Sequence, residues 1–141
     1  MKGKHMKVKL SEIIDAIEMT NRESESFLDQ VTGEIVWFND FAMTSEEKEE
    51  ASNALDEHGF YRLPTSFDIN EYSIMEDFVY SLPESRRERL ARAINGKGAF
   101  RRFKDGIRQM GIEEEWYDYQ GKAYKRMAIE WCEENGIEYE E

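Results

Sequence analysis

Residues 96–131 read GKGAFRRFKDGIRQMGIEEEWYDYQGKAYKRMAIEW and contain two of the three tryptophans, with the densest run of arginine and lysine in the chain. From Phe100 onward, apolar residues recur every three or four positions, which predicts an amphipathic helix with Phe100 and Phe103 on its inward face. Gly111 can end this helix in a left-handed turn. The stretch therefore predicts that the late part of the chain is helical.

A second helix is predicted after that glycine, over residues 113–135. Its apolar side chains fall on one arc, as expected for a helix packed against a core. Asn135-Gly136-Ile137 is typical of a Schellman ending, in which the apolar residue after the glycine folds back on the last turn. The residues predicted to face inward are Trp116, Ala123, Tyr124, Met127 and Trp131.

Extended segments are predicted in the N-terminal third. Residues 26–30 and 34–38 flank Val31-Thr32-Gly33, and a glycine in a three-residue connection favours a β-hairpin. A lone hairpin is marginally stable, and residues 60–63, held extended by Pro64, are the candidate third strand. The predicted fold class is α+β: a mostly helical single domain with a small antiparallel β-hairpin or three-stranded ribbon near the N-terminal third.

Four further helices are predicted from apolar periodicity and end signals. Thr44 and Glu47 form a capping box, in which each side chain accepts the backbone N–H of the other residue. The third of these helices begins with Asp68 or Asn70 as its N-cap and ends at Pro83. The four helices cover residues 11–19 with Ser11 as the N-cap, residues 44–58, residues from 68 or 70 to 82, and residues 85–95.

Length and composition indicate one domain, predicted over residues 6–141 of the 141-residue chain. His5-Met6 is typical of a cloning-site scar, so residues 1–5 are interpreted as an added or disordered extension. No apolar run approaches the ~18 residues of a membrane span, so no membrane partner is expected. The single cysteine, Cys132, excludes an internal disulfide and is expected to be buried. A reducing cytoplasmic location is therefore expected.

Charge is distributed unevenly, although the formal net charge is −12. Residues 31–80 carry 12 acidic and 2 basic side chains, residues 86–108 carry 9 basic and 2 acidic ones, and residues 109–141 carry 10 acidic and 3 basic ones. A protein this acidic is repelled overall by nucleic acid and anionic lipid, whereas its basic block can still bind an anion locally. The alternative is that the basic helices pair with the acidic segments of the same fold.

The residue sets that most catalytic and metal sites require are missing from the sequence. His58 precedes Gly59 at a predicted helix end, where a cation interacts favourably with the helix dipole. One cysteine and one histidine outside the suspected extension cannot build a four-ligand zinc site. Gly96-Lys97-Gly98 lacks the third glycine of a dinucleotide-binding loop. No catalytic residue, metal or cofactor is therefore predicted, and a non-enzymatic protein is favoured over an enzyme.

The basic block contains a candidate binding site. Gly96 and Gly98 bracket Lys97 directly before the predicted Phe100 helix, where free backbone N–H groups favour an anion. The alternative is that the glycines only permit a tight turn, and that the cations are solvated or paired with carboxylates of the same chain. The candidate residues for a ligand or partner are Lys97, Gly98, Arg101, Arg102, Lys104 and Arg108.

The run G-K-G-A-F-R-R-F-K-D, with the later W-Y, R-M-A-I-E-W and E-N-G-I, resembles sequences of the bacterial uncharacterised protein family 0158. The segments S-F-L-D-Q-V-T-G-E-I-V-W and N-E-Y-S-I-M-E-D-F-V are also similar to it, so the resemblance covers about residues 9–137. It implies a bacterial cytoplasmic setting and brings no catalytic residues. It points to residues used either for binding or for packing: Gly96, Gly98, Phe100, Arg101, Arg102, Phe103 and Trp116.

Three function classes follow from these observations. The first is a non-enzymatic binding or regulatory module that engages an unknown protein or a small anionic ligand through the helix surface of residues 97–108. The second is a nucleic-acid-binding protein that uses the same surface, which the net charge disfavours. The third is an enzyme, which would need a deep pocket with a buried Asp or Glu beside Arg101 or Arg102. The oligomeric state is not predicted.

Overall fold

A computed structural model describes residues 7–39 and 41–141 of the chain. The predicted class is confirmed: the protein is α+β and mostly helical, with a three-stranded antiparallel sheet in the N-terminal third. The predicted extension over residues 1–5 lies outside the described residues. In chain order the elements are β1 (Lys7–Lys9), α1 (Leu10–Met19), β2 (Ser24–Asp29), β3 (Ile35–Asn39), α2 (Ser45–His58), β4 (Phe60–Arg62), α3 (Ser66–Ile69), α4 (Glu71–Tyr80), α5 (Glu84–Ala93), α6 (Ala99–Met110), α7 (Glu113–Glu134) and β5 (Glu138–Glu140).

The described residues form two compact units. The first unit holds the residues up to Ile69 together with Tyr124–Glu141, and the second unit is Asn70–Ala123. Helix α7 contributes its N-terminal half to the second unit and its C-terminal half to the first. The single domain predicted over residues 6–141 stays a prediction.

The first unit contains the predicted hairpin and its third strand. β2 is the central strand and pairs antiparallel with both β3 and β4. At the hairpin turn, the Asp29 N–H donates to the Glu34 carbonyl at 2.9 Å, and Gly33 adopts a φ of 75°. Glycine adopts that conformation without steric cost, which explains its place in the turn. The third strand predicted within residues 60–63 is confirmed as Phe60–Arg62.

Helix α1 buries one face in the core of the first unit. It begins at Leu10, and the predicted N-cap at Ser11 is therefore wrong. Lys9, the last residue of β1, occupies the N-cap position with an extended backbone and no side-chain cap. The side chains buried along this helix are Leu10, Ile13, Ala16 and Ile17.

The C-terminal half of α7 is held to the sheet by Trp131. Its indole N–H donates to the Arg62 carbonyl of β4 at 2.8 Å. Trp131 and Tyr124 are buried, as their position on the inward arc predicts. Met127 is half-buried instead of buried, because Ala128 takes the innermost position on this part of the helix.

The Schellman ending of α7 is confirmed and leads into a strand. The Ile137 N–H donates to the Cys132 carbonyl at 2.8 Å, and Ile137 is buried. Strand β5 then pairs in parallel with β1, so that Lys7 lies opposite Glu138. No sequence signal predicted this second sheet, since three-residue strands are too short to show an alternating pattern.

Helix α2 follows its predicted end signals closely. The Thr44 side chain accepts the Glu47 N–H at 3.1 Å, and the Glu47 carboxylate accepts the Thr44 N–H at 2.9 Å, which completes the capping box. Gly59 ends the helix with a φ of 84°. Leu55 is its buried side chain, in agreement with the thin apolar face of the sequence.

Aromatic packing organises the core of the second unit. Phe103 of α6 is fully buried, and its ring lies 4.9 Å from that of Trp116 and 6.0 Å from that of Phe78. Gly106 allows α6 to approach α5 closely, because a Cβ at that position would lie 2.7 Å from Leu90 Cδ2. The helix predicted from Asp68 or Asn70 begins with Asn70 as its N-cap.

The prediction that Phe100 faces inward is wrong. Its side chain is 41% exposed and makes an edge contact with Tyr72, with 6.4 Å between ring centroids. Phe100 lies three residues before Phe103, about 60° around the helix, so it lies at the margin of the apolar face. The stripe that does face the core is Ala99, Phe103 and Ile107.

Candidate functional site: a basic surface on helices α5 and α6

A short loop joins the two basic helices of the second unit. Helix α5 ends at Ala93 and α6 begins at Ala99. Gly96 and Gly98 adopt φ values of 75° and 78°, which reverse the chain within five residues. The glycines therefore have a conformational role that is independent of any ligand.

The Arg102 guanidinium holds this loop by donating hydrogen bonds to three backbone carbonyls. Its Nε donates to the Ala93 carbonyl at 2.7 Å and its Nη1 to the Lys97 carbonyl at 2.6 Å, while Nη2 donates to the Asn95 carbonyl. A Cβ on Gly98 would lie 2.9 Å from the same Nη1. The guanidinium thus satisfies carbonyls at the end of α5, where a cation also interacts favourably with the helix dipole.

The other predicted site residues on α6 face the solvent. Lys97, Arg101 and Lys104 are exposed and form no ion pair with any residue in the described ranges. Arg108 lies 3.8 Å from the Asp105 carboxylate and 3.9 Å from that of Glu113. Exposed pairs at these distances contribute little to stability, so Arg108 remains able to turn toward a ligand.

A cleft of about 650 Å³ runs between α5 and α6. Arg89 and Arg92 of α5 line it, together with Arg102 and the carboxylate-bearing residues Glu88 and Asp105. Because α5 and α6 pack side by side, Arg89 and Arg92 of α5 meet Arg102 of α6 at this cleft. The other cations that the structure describes in this region do not line the cleft, and those on α6 lie on a neighbouring, solvent-facing side of that helix. We call Lys97, Arg101, Lys104 and Arg108, with Arg89 and Arg92, the basic surface.

Sequence reasoning missed the contribution of α5. The spacing of Arg89 and Arg92, three residues apart on one helix side, was a usable signal. It does not reveal by itself which neighbouring helix that side meets. In the structure Arg89 donates to the Gln109 side chain of α6 at 2.5 Å, which places it at the cleft.

Among the described lining residues of the cleft there is no buried Asp or Glu, the feature that the enzyme hypothesis requires. Its two carboxylate-bearing residues, Glu88 and Asp105, are exposed. Across residues 7–39 and 41–141, no group of three or more His, Cys, Asp or Glu side chains could hold a metal ion. Cys132 is buried, as expected, and burial raises the pKa of its thiol to about 11. In the same part of the chain, no helix has the length and apolar character needed to cross a bilayer.

A second polar cluster lies in the first unit, where His58 meets Asp29. The His58 Nδ1 lies 2.8 Å from Asp29 Oδ2, and Asp29 Oδ1 accepts the N–H groups of Val31 and Thr32 at 2.8 and 3.0 Å. The hydrogen bond to Asp29 raises the pKa of His58, although partial desolvation opposes this. Burial raises the pKa of Asp29, but the hydrogen bonds from His58, Thr32 and Val31 together outweigh it and lower that pKa.

These shifts predict a pH dependence of stability. Since the pKa of His58 is raised on folding, its contribution is fully present below the unfolded value of about 6.5 and is lost as pH rises through the folded value. The Asp29 contribution is present above its unfolded pKa and is lost as pH falls through the lower folded pKa. We expect the urea midpoint to fall between pH 6 and pH 8.5 in the wild type, and less in His58→Gln. Equal falls in both proteins would show that this hydrogen bond does not contribute.

The fold and the surface define a small, mostly helical α+β protein whose second unit has an arginine-lined cleft between two helices and a buried aromatic cluster. The chain belongs to an uncharacterised protein family (UPF0158), whose sequence profile matches residues 4–140. Searches among curated proteins and among solved structures found no match. The resemblance noted from the sequence is thereby confirmed.

Proposed function

We propose that this protein is a non-enzymatic binding or regulatory module that engages an anionic group, on a protein or a small ligand, through the basic surface. The observation that carries the proposal is that Lys97, Arg101 and Lys104 are exposed and without carboxylate partners among the described residues. The chain contains many acidic side chains that could neutralise these cations, yet they remain available. A partner that supplies the anion would not have to break existing ion pairs.

The chemistry of the surface favours carboxylate or phosphate groups. A guanidinium presents a planar fork of donors that matches both groups, and Arg89, Arg92 and Arg101 provide three such forks. The neighbouring cleft, which Arg89 and Arg92 of this surface line, has a volume of about 650 Å³, within the range of small-molecule sites. Arg102 also lines the cleft, but three of its five N–H donors are used by the Ala93, Lys97 and Asn95 carbonyls, so we assign it chiefly to holding the loop.

The overall negative charge does not prevent such binding. At physiological ionic strength the Debye length is about 8 Å, so acidic segments farther away are largely screened. A small anion therefore experiences mainly the local cations. A long polyanion would also approach the acidic segments, which is why a compact ligand or a short acidic segment is favoured.

Two charge reversals test the proposal. We expect citrate, inorganic phosphate or an octaglutamate peptide, added to ¹⁵N-labelled protein, to shift amide resonances within residues 89–108 in a saturable way. Arg101→Glu with Lys104→Glu should abolish these shifts, because it replaces the unpaired cations with carboxylates. The matched control is Lys122→Glu with Arg126→Glu, which changes exposed cations of α7 by the same charge. Identical titrations of both double variants would refute the proposal, as would the absence of shifts with every probe.

Nucleic-acid binding is the second candidate. It is favoured by the row of exposed cations at Arg101, Lys104 and Arg108, which share one side of α6. The same variants distinguish it when a labelled oligonucleotide is the probe, because affinity for phosphates falls linearly with salt on a logarithmic scale. Tight binding at low salt that falls steeply at moderate salt would favour this candidate over the first.

We further infer that the protein works in a bacterial cytoplasm. The inference is supported by its buried, unpaired Cys132 and by the family resemblance.

A further inference from the structure

The outer edge of β3 in the first unit is unpaired. The sheet order is β3-β2-β4, so β3 has β2 on one side and no strand on the other among the described residues. Its sequence, Ile-Val-Trp-Phe-Asn, contains no proline or lysine, which are residues that commonly protect an edge. All five residues are half-buried, so the strand is neither covered nor fully solvated.

The hydrogen bonds of the central strand show which groups point outward from β3. The Asp29 N–H donates to Glu34 at 2.9 Å, so odd-numbered residues of β2 bond to β3. The Leu63 N–H donates to Ser26 at 3.0 Å, so even-numbered residues of β2 bond to β4. Because Phe27 is opposite Val36, the alternation leaves the N–H and C=O groups of Ile35 and Trp37 directed outward.

A groove of about 390 Å³ lies beside this edge, between β3 and α1. Its apolar lining includes Met19 of α1, which is 66% exposed. The other apolar and the acidic lining residues come from α1 and from β3 with the turn before it. The acidic residues of the lining are exposed and are called its rim, and among the residues that the structure describes no cation lines the groove. The residues used below are Ala16, Met19, Ile35 and Trp37 in the apolar part and Glu12, Asp15 and Glu34 at the rim.

We propose that this groove binds an extended cationic peptide segment of a partner protein, which joins the sheet as a fourth strand beside β3. Main-chain hydrogen bonds to Ile35 and Trp37 provide the pairing, and alternate apolar side chains enter the groove. Lysine or arginine side chains of the segment reach the rim carboxylates of Asp15 and Glu34. The proposal is independent of the basic surface, since its ligand has the opposite charge and its residues belong to the first unit.

A second copy of the chain is a poorer occupant of the same edge. In a two-fold pairing each β3 meets its own equivalent, so both copies bring the same rim carboxylates to one junction. Like charges brought together in this way are destabilising. A cationic segment instead relieves the repulsion among Glu12, Asp15 and Glu34 and covers the exposed edge.

The test uses a fluorescein-labelled peptide of sequence Val-Lys-Val-Lys-Val-Lys-Val, with Val-Glu-Val-Glu-Val-Glu-Val as the charge control, and full-length protein. We expect saturable binding of the lysine peptide only. Asp15→Lys with Glu34→Lys should weaken it by about tenfold, since two exposed attractions become repulsions. Glu18→Lys with Glu49→Lys changes the net charge equally at exposed positions outside the groove, and should leave the affinity unchanged. Equal loss in both double variants would show non-specific attraction and overturn the proposal.

Amide hydrogen exchange separates strand addition from a purely electrostatic contact. The bound lysine peptide should slow exchange at the Ile35 and Trp37 N–H groups, whereas Val36 is already bonded to β2. Binding without new protection at these two amides would overturn the proposal. Concentration-dependent protection in the absence of peptide would also overturn it, because it would identify the edge as a contact between copies of the chain.

Discussion

Replacing Phe103 with alanine is expected to lower the free energy of unfolding by about 3–5 kcal/mol, the range for deleting a large buried aromatic side chain. Phe103 is fully buried, and its ring contacts those of Phe78 and Trp116. The change removes the apolar area and also leaves a cavity between two aromatic neighbours that cannot collapse without losing their own contact. Urea unfolding followed by circular dichroism, with tryptophan fluorescence as a second probe, measures the loss.

The matched control is Phe100→Ala, on the same helix and of the same chemistry. Phe100 is 41% exposed, so its truncation removes less buried area and leaves no enclosed cavity, and we expect a loss of about 1–2 kcal/mol. The comparison decides which phenylalanine supports the fold. Comparable losses for the two variants would mean that Phe100 is buried in solution and that the apolar stripe of α6 is wider than the structure shows.

Local signals predicted those elements whose boundaries depend on neighbouring residues alone. The Thr44–Glu47 capping box and the Gly136 ending of α7 require only residues within four positions of each other, and both formed as expected. The hairpin around Gly33 is of the same kind. Gly33 and Gly136 adopt a positive φ that few residue types adopt, and the capping box needs a side-chain acceptor at each of two positions, so each sequence pattern is specific.

Non-local pairing could not be predicted from the sequence. β1 and β5 lie at opposite ends of the chain and are three residues long, so no alternation indicated their pairing. The contact between His58 and Asp29 joins residues separated by 29 positions. The sequence predicted His58 as a cation at a helix end. Its hydrogen bond to Asp29 depends on the tertiary structure, which the sequence pattern does not reveal.

The positive charge of the candidate site could be predicted from the sequence. Which of its cations bind the loop carbonyls and which face the solvent could not. Arg101, Lys104 and Arg108 are spaced at i, i+3 and i+7 on one side of α6, and all three are exposed. Nothing local distinguishes Arg101 from Arg102, yet the two neighbours have different surroundings. Arg102 points back to the loop carbonyls because its position is rotated 100° around the helix, toward α5. Its role follows from how α5 and α6 pack.

The second large effect on stability is expected when Arg102, which binds the loop carbonyls, is replaced. We expect Arg102→Ala to lower the free energy of unfolding by about 2 kcal/mol, because three charge-assisted hydrogen bonds to backbone carbonyls are lost. The expected loss of about 2 kcal/mol is smaller than the sum for three separate hydrogen bonds. Arg102 is exposed, so water replaces part of the lost interaction. Arg101→Ala, which removes an unpaired exposed guanidinium, should change stability by less than about 0.5 kcal/mol. Urea unfolding of both variants gives the comparison.

Arg102→Lys then separates charge from geometry. A lysine keeps the positive charge beside the end of α5, but a single ammonium cannot reach the diverging carbonyls of Ala93, Asn95 and Lys97 together as a planar fork can. We therefore expect the lysine variant to recover only part of the lost stability. Full recovery would mean that the helix dipole, not the three hydrogen bonds, stabilises the loop. If Arg101→Ala were instead the more destabilising change, the assignment of Arg101 to ligand binding and of Arg102 to the fold would have to be exchanged.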